Sequence, residues 1–545
     1  VSAFDDLVTD FLRLHWTYNP VDATFAGVAL YDGSLPPADA AAGAREAAAL
    51  RALATRLDAL AVPAESGARL DARSMRARID HVLAALTVRP RLQNPAWYTG
   101  EVAFGIISLL LPGAVERDSH ALEARLDAVP DFLAAGAERL KGRAVPADWV
   151  TRARAEIAAV RRLLANPSPT TAFQAPAGPL HLPAAPLQPP SAGSVASALA
   201  ALAHFDDALR DVPDADPACG RDYLALLMRD VHGLAETPEQ LERAAQAAFD
   251  ATLARLDEGA ARLDPARSWR EQMAALSDIG PEPEGVLASY RAWHDRALRD
   301  GASLLTPAGD YALDFALLPE WARAVAADLY FLFYRSPPER APGSGSVYWV
   351  APPAPADPAA TRRAHNTAAV KLVHAVHHGS IGHHTQNARA RRAPSRIARV
   401  AGTDCASGIA LLSAGTLVEG WACYAEDLLA EVPDFYTPAE RLQLEYFELR
   451  NIACCLADIR LHTGAWDLAA MRRFYRDEVD FAPARIWSET TRNSIFPASR
   501  LMYWTGSRAI KALRAASKLN TKDFHDALLG FGSVPVAWIS AELLA

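Results

Sequence analysis

TPEQLERAAQAAFDATLARLDEGAARL, running from Thr237 to Leu263, is the stretch whose reading decides the fold class. Its apolar residues recur at three and four positions, the period of a helix that buries one face. Thr237, directly before Pro238, is the residue type that caps such a helix. The same period runs from Val1 to about Ala165, as in DDLVTDFLRL and ALRALATRLDALA, and resumes from Ser194 through most of the remaining chain. The expectation is a mainly α protein with a large helical fold. Two stretches depart from the pattern. Residues 166–193, NPSPTTAFQAPAGPLHLPAAPLQPPSAG, contain too much proline for regular helix and read as a linker or lid. In SVYWVAPPAPADPAA, Ser346 to Ala360, the residues Val347 to Val350 favour an extended segment that the prolines end. Three regions follow: 1–165 as an N-terminal helical array, 166–193 as the connection, and 194–545 as a second helical region continuous with the first.

The chain has 545 residues, 51% of them hydrophobic and 22% charged, which is the balance of a globular protein with ample core. Its formal net charge of −9 offers no general attraction for nucleic acid, so no nucleic-acid partner is expected. No run approaches the roughly 18–20 apolar residues that a membrane helix needs, and the first residues, VSAFDDLVTD, do not resemble a leader, so no membrane partner and a cytoplasmic location are expected. Cys219, Cys405, Cys423, Cys454 and Cys455 are odd in number and lack paired spacing, which points to free thiols. Neither a phosphate-cradling glycine loop nor a G-x-S-x-G nucleophile turn occurs.

The chemistry is concentrated in KLVHAVHHGSIGHHTQ, Lys371 to Gln386. Five of the chain's 15 histidines fall within these sixteen residues: His374, His377, His378, His383 and His384. Neutral imidazole is the commonest protein ligand for divalent transition metals, so this density points to a metal site. His374 and His378 are spaced i, i+4 and share a face of a straight helix. His377 and His383 are six apart and converge only if the chain bends, for which Gly379 and Gly382 supply the freedom. Spacing alone leaves both pairings open. A further ligand is expected from another element, and TLVEGWACYAEDLLAE offers Glu419 and Glu426. Seven residues apart, these lie about 10 Å from each other along a helix, so one can bind an ion while the other orients a ligand. The arginine-rich stretch from Arg389 to Arg399 suits an anion, or else an exposed basic segment paired with acidic neighbours.

Five ordered motifs resemble those of the domain of unknown function 885 family, helical proteins similar to zinc metallopeptidases of the gluzincin type. Asn19–Leu35 is similar to the family's opening pattern, His377–Gln386 to HExxPGHHxQ, Glu419–Glu426 to EGWAxYxE, and Asp458–Trp466 to DxxLHTxxW. Pro497, Tyr503 and Gly506 resemble its closing element. The resemblance implies one divalent metal, zinc first and iron or another transition metal second, held by His377, His383 and Glu419. It places His384, Gln386, Glu426 and Asp458 around the ligands or the substrate, Arg492 and Arg500 toward an anionic substrate, and Tyr503 and His462 among the catalytic candidates. The chain departs from the pattern where the family's general-base glutamate is replaced by His378 and its proline by Ile381. The implied function is a metal-dependent, hydrolase-like enzyme acting on a peptide, an amino-acid derivative or a small amide, with His378 as a substitute base. The alternatives are a metal- or ligand-binding protein without hydrolysis, or a metal-dependent lyase or oxygenase-like enzyme. The sequence leaves the oligomeric state open.

Overall fold

Thr237 behaves as its position demands. In the computed structural model its hydroxyl accepts from the Gln240 N–H while the Gln240 side chain returns to the Thr237 N–H, which starts the helix Pro238–Leu263. Leu241, Ala245, Phe249, Thr252, Leu256 and Ala260 form its buried stripe. That stripe faces Pro438–His462, a helix opened by the same device at Thr437 and Glu440.

The structure describes residues 2–111, 115–165, 187–308, 312–326, 334–335, 338–340, 345–405, 408–409 and 412–544. These are mainly helical, as the periodicity implies. Most of the proline-rich connection, residues 166–186, lies outside the described residues.

The chain divides into two units. The first comprises Val1–Pro217, Leu318–Ser346 and Pro394–Leu411, and the second Ala218–Leu317, Val347–Ala393 and Leu412–Ala545. Residues 194–217, with all but the first two residues of the helix Ala192–Ala208, therefore fall in the first unit. Within that unit Pro95–Leu110 is buried along almost its whole length and packs on Ala121–Leu140 and Ala147–Ala165. Asp404–Cys405 pairs antiparallel with Gly408–Ile409, Asp404 opposite Ile409. The arginine-rich stretch is tied down internally. Arg396 reaches the Asp5 carbonyl and the Thr9 hydroxyl, and the Asp71 carboxylate accepts from Ser395 and from the Arg396 and Ile397 N–H groups.

The expected extended segment forms the strand Ser346–Val350, in the second unit from Val347 onward, neighbouring Leu313–Leu317. Among the described residues no helix is long and apolar enough to cross a membrane.

Two helices of this unit carry much of the site. The EGW helix, Gly415–Leu428, lies backbone to backbone on Leu501–Ala516. A Cβ at Gly506 would overlap the Thr416 carbonyl oxygen, and one at Gly420 would lie 2.5 Å from Gly506 backbone atoms. Only glycine at these crossing points allows so close an approach, which brings Glu419 and Tyr503 into one neighbourhood.

Candidate metal centre

The histidine segment is not a straight helix. Thr367–Ala369 leads into a widened π-helical stretch, Val370–His378, which breaks at Gly379 with φ −93° and ψ −148°. A second wide turn, Ser380–His384, contains a non-helical Gly382, and regular helix resumes at Thr385–Ala390. Hydroxyls satisfy carbonyls that the irregular turns release: Ser380 donates to Ala375 O at 2.6 Å and Thr385 to Ser380 O at 2.7 Å. The Trp421 indole donates to Ile381 O at 2.9 Å, fastening the bend to the EGW helix. A Cβ at Gly382 would overlap the carbonyl oxygens of Val376 and His377. The bend expected from the two glycines therefore exists, and it folds His383 back beside His377.

That bend brings the i, i+6 pair together. The His377 and His383 rings stand nearly perpendicular, 88°, with centroids 4.9 Å apart. Glu419 enters from the EGW helix, its Oε2 3.6 Å from His383 Nε2 and 4.0 Å from His377 Nε2. The donor atoms of these three residues all lie within 4.8 Å of one another. On the far side of the ring, His377 Nδ1 meets Glu426 Oε1 at 2.6 Å. A carboxylate can only accept, so the ring proton sits on Nδ1 and the Nε2 lone pair is left facing Glu419 and His383. Glu419 and Glu426, seven residues apart on one helix face, thus divide the work: one joins the donor group and the other fixes a tautomer. Burial raises the Glu419 carboxyl, but the hydrogen bond and charge of His383 and the charge of His377 outweigh it and hold the group at about 2.

His374 and His378, the other spacing, stack at 6.3 Å on a different partner. The buried Tyr348 hydroxyl lies 2.5 Å from His374 Nδ1 and 3.4 Å from His378 Nδ1. Tyr348 comes from the extended segment, where nothing in the local pattern marks it for this task. Burial holds His374 down at about 3, and burial with the nearby His377 and His383 holds His378 well below its usual range, so both are neutral near pH 7. The His378 ring nonetheless borders the donor group, 4.9 Å from the His377 ring and 5.9 Å from that of His383.

A second grouping, His377, Cys423 and Glu426, also meets the distance requirement for a metal. It is the poorer one. Glu426 is already hydrogen-bonded to His377 Nδ1, and burial beside Glu426 and Glu419 pushes the Cys423 thiol far above the range where it ionises. Cys423 lies four residues after Glu419, a spacing that marks it as a neighbour of the site in sequence.

The remaining sequence-derived residues take other positions. Asp458 accepts from the N–H groups of Ala498, Arg500 and Leu501 at 2.8–3.3 Å and so holds the turn that precedes Tyr503. His462 is fully buried, with Cys219 N donating to Nδ1 at 3.2 Å and Nε2 against Asn493 O at 2.8 Å. Among the described residues neither metal-capable group includes Asp458 or His462. His384 is buried edge-on to His294, and the Gln386 amide donates to Ser533. The Arg500 guanidinium lies 4.5 Å over the Tyr503 ring and pairs through Nε with Glu489 at 2.8 Å, while Arg492 donates to the Tyr503 hydroxyl at 3.2 Å. Burial raises the Tyr503 phenol to about 12, so it keeps its proton.

Two substitutions test this architecture. Glu426→Gln is expected to weaken zinc binding by about 10–100-fold, because the amide replaces the acceptor that fixes His377; competition with a zinc-chelating dye reads it. Glu489 is raised by burial but more than compensated by Arg500, Arg485, Arg492 and Arg450, which hold it at about 2 against an ordinary 4.5. A carboxyl lowered on folding stabilises fully above its ordinary value and loses that contribution as pH falls toward its folded one. Glu489→Gln is therefore expected to cost about 3–5 kcal/mol near neutral pH. The difference from the unsubstituted protein should narrow below pH 4.5, as read by denaturation at successive pH values.

A family model described as "Bacterial protein of unknown function (DUF885)" matches residues 20–543. No curated protein matches the chain. Among solved structures, a "putative lipoprotein of unknown function" from Shewanella oneidensis superposes with a TM-score of 0.75 at 17% identity, over 100% of both chains. A "putative lipoprotein" from Colwellia psychrerythraea gives 0.68 at 14% identity, over 100% of this chain and 99% of the other. Identities this low carry the fold alone.

Proposed function

We propose that this chain, which belongs to the DUF885 family of bacterial proteins of unknown function, holds one divalent cation on His377, His383 and Glu419 and hydrolyses an amide bond in a peptide, an amino-acid derivative or a related small molecule. The observation that carries the reading is the lock on His377: with Nδ1 committed to Glu426, Nε2 is presented beside Glu419 and His383. Two donors of one zinc, each about 2.0–2.2 Å from it, can be no more than roughly 4.2 Å apart. Both measured gaps, 3.6 and 4.0 Å, satisfy that limit. Two imidazoles and one carboxylate form the donor set of a zinc site that keeps a position open, so zinc is the metal proposed, with iron second.

When bound, such a cation polarises a carbonyl and makes water a nucleophile at neutral pH. The chain's own side chains supply the rest. Hydrolysis joins the water oxygen to the carbonyl carbon and breaks the C–N bond, and a proton from that water must reach the departing nitrogen. His378 stands at the edge of the donor group and is neutral, so it is the side chain best situated to hold this proton in transit. The Tyr503 O–H can donate to the oxygen on which negative charge builds.

Binding without hydrolysis is the second reading. What favours it is the desolvation of His378 and the nearby His377 and His383, which lower it and make it a weaker base than an exposed imidazole, together with its contact with Tyr348. The test is zinc-loaded protein against a chromogenic acyl-amino-acid panel, with Glu419→Gln and His378→Glu alongside. Hydrolysis that disappears in Glu419→Gln supports the enzyme. Turnover that emerges only in His378→Glu supports the binder. As to compartment, both solved neighbours carry the word lipoprotein in their descriptions, which fits an envelope location better than the cytoplasm expected from the sequence.

A further inference from the structure

Around Glu489 the charges do not balance. Arg485 and Arg500 both pair with this one carboxylate, at 2.6 and 2.8 Å, and the Arg450 guanidinium lies 4.5 Å over the Phe447 ring. Arg492 has no share in those pairs. Among the described residues it makes one hydrogen bond, to the Tyr503 hydroxyl, and no carboxylate lies within ion-pair distance of it. It is only partly buried, and its charge acts on Glu419 of the donor group.

Guanidinium can only donate, so Arg492 takes up a lone pair of the Tyr503 oxygen and leaves the phenol proton to point elsewhere. Tyr503 stands on Leu501–Ala516, the helix that crosses the EGW helix of Glu419 at Gly506 and Gly420. Arg492, with no carboxylate in contact, and a phenol proton without an acceptor among the described residues thus adjoin each other on the side of the helix pair that carries Glu419.

We propose that Arg492 and Tyr503 together recognise an amide next to a free carboxylate, the grouping of an N-acyl amino acid and of a peptide's C-terminal residue. This rests on the proposed function and names its substrate class. Arg492 binds the carboxylate with its remaining N–H groups, in the forked geometry that suits two oxygens. Tyr503 donates to the neighbouring amide carbonyl. The spacing agrees: the two donors are 3.2 Å apart. With hydrogen bonds of about 2.8 Å at each, the carbonyl and the carboxylate are within one or two residues of each other, at roughly 3.8 Å per residue.

The test compares N-acetylphenylalanine with N-acetylphenylalaninamide, which differ in the free carboxylate. Binding to the metal-free and zinc-loaded full chain is measured by calorimetry, and cleavage of the same pair is followed separately. The free acid is expected to bind about 10–100-fold more tightly than the amide. Arg492→Ala should remove that preference, leaving acid and amide with equal affinity, and Arg492→Lys should retain part of it, with circular dichroism showing that both variants fold. Equal affinity for the two ligands, a preference that survives in Arg492→Ala, or no detectable binding of the acid would overturn the inference. The two proposals also fail separately. A protein that takes up no zinc yet prefers the acid contradicts the metal site alone, whereas zinc-dependent cleavage indifferent to the carboxylate contradicts this inference alone.

Discussion

Gly382→Ala is expected to abolish tight zinc binding although every ligand remains in the sequence. A Cβ at this position would overlap the carbonyl oxygens of Val376 and His377, which are backbone atoms and cannot swing aside as a flexible side chain would. The bend must open to relieve the overlap, and it is the bend that returns His383 to His377 across six residues. Overpacking of this kind costs about 1–3 kcal/mol of stability, and displacement of a ligand should exceed the roughly 10–100-fold affinity loss typical of residues behind the ligands. Zinc titration with a competing chelator, together with a urea denaturation curve, separates the two effects. A variant that binds zinc like the unsubstituted protein would show that the backbone at Gly382 does not set the donor geometry.

The second large effect concerns the ligands themselves. His377→Ala and His383→Ala should each eliminate zinc binding at micromolar concentration and, with it, the rise in melting temperature expected of the unsubstituted chain in zinc. A ligand that binds only the folded state stabilises it by about 2.7 kcal/mol at a hundred times its dissociation constant, so thermal scans with and without zinc make a sensitive readout. His374→Ala is the control. That ring stacks on Tyr290 and meets the Tyr348 hydroxyl, and it belongs to neither metal-capable group among the described residues. Its loss is expected to lower stability while leaving the zinc-dependent increment in place. If His374→Ala instead removed the increment, the i, i+4 pairing would have been the correct one.

Much of this is legible in the sequence because it is local. Thr237 with Gln240 and Thr437 with Glu440 announce helix starts by residue type and spacing alone. Gly379 and Gly382 announce a bend, and the separation of Glu419 from Glu426 announces that only one of them joins a given ion. Spacing did not decide between the two histidine pairs, since that depends on how far the chain bends. Tyr348, behind His374 and His378, could not be found this way, because its partners lie 26 and 30 residues further along the chain. The same applies to His462, whose contacts with Cys219 and Asn493 are made across 243 and 31 residues. The division of the chain is similarly non-local: each unit is assembled from three separate stretches, and no composition change marks the passage at Pro217 and Ala218.

Metal content is the most direct measure of the central claim. The full chain, stripped with a chelator, dialysed against excess zinc and freed of unbound metal, should carry one zinc per chain by elemental analysis, and His377→Ala, His383→Ala and Glu419→Gln treated in parallel should carry none. A chain that retains no metal, or variants that retain as much as the unsubstituted protein, would contradict the account.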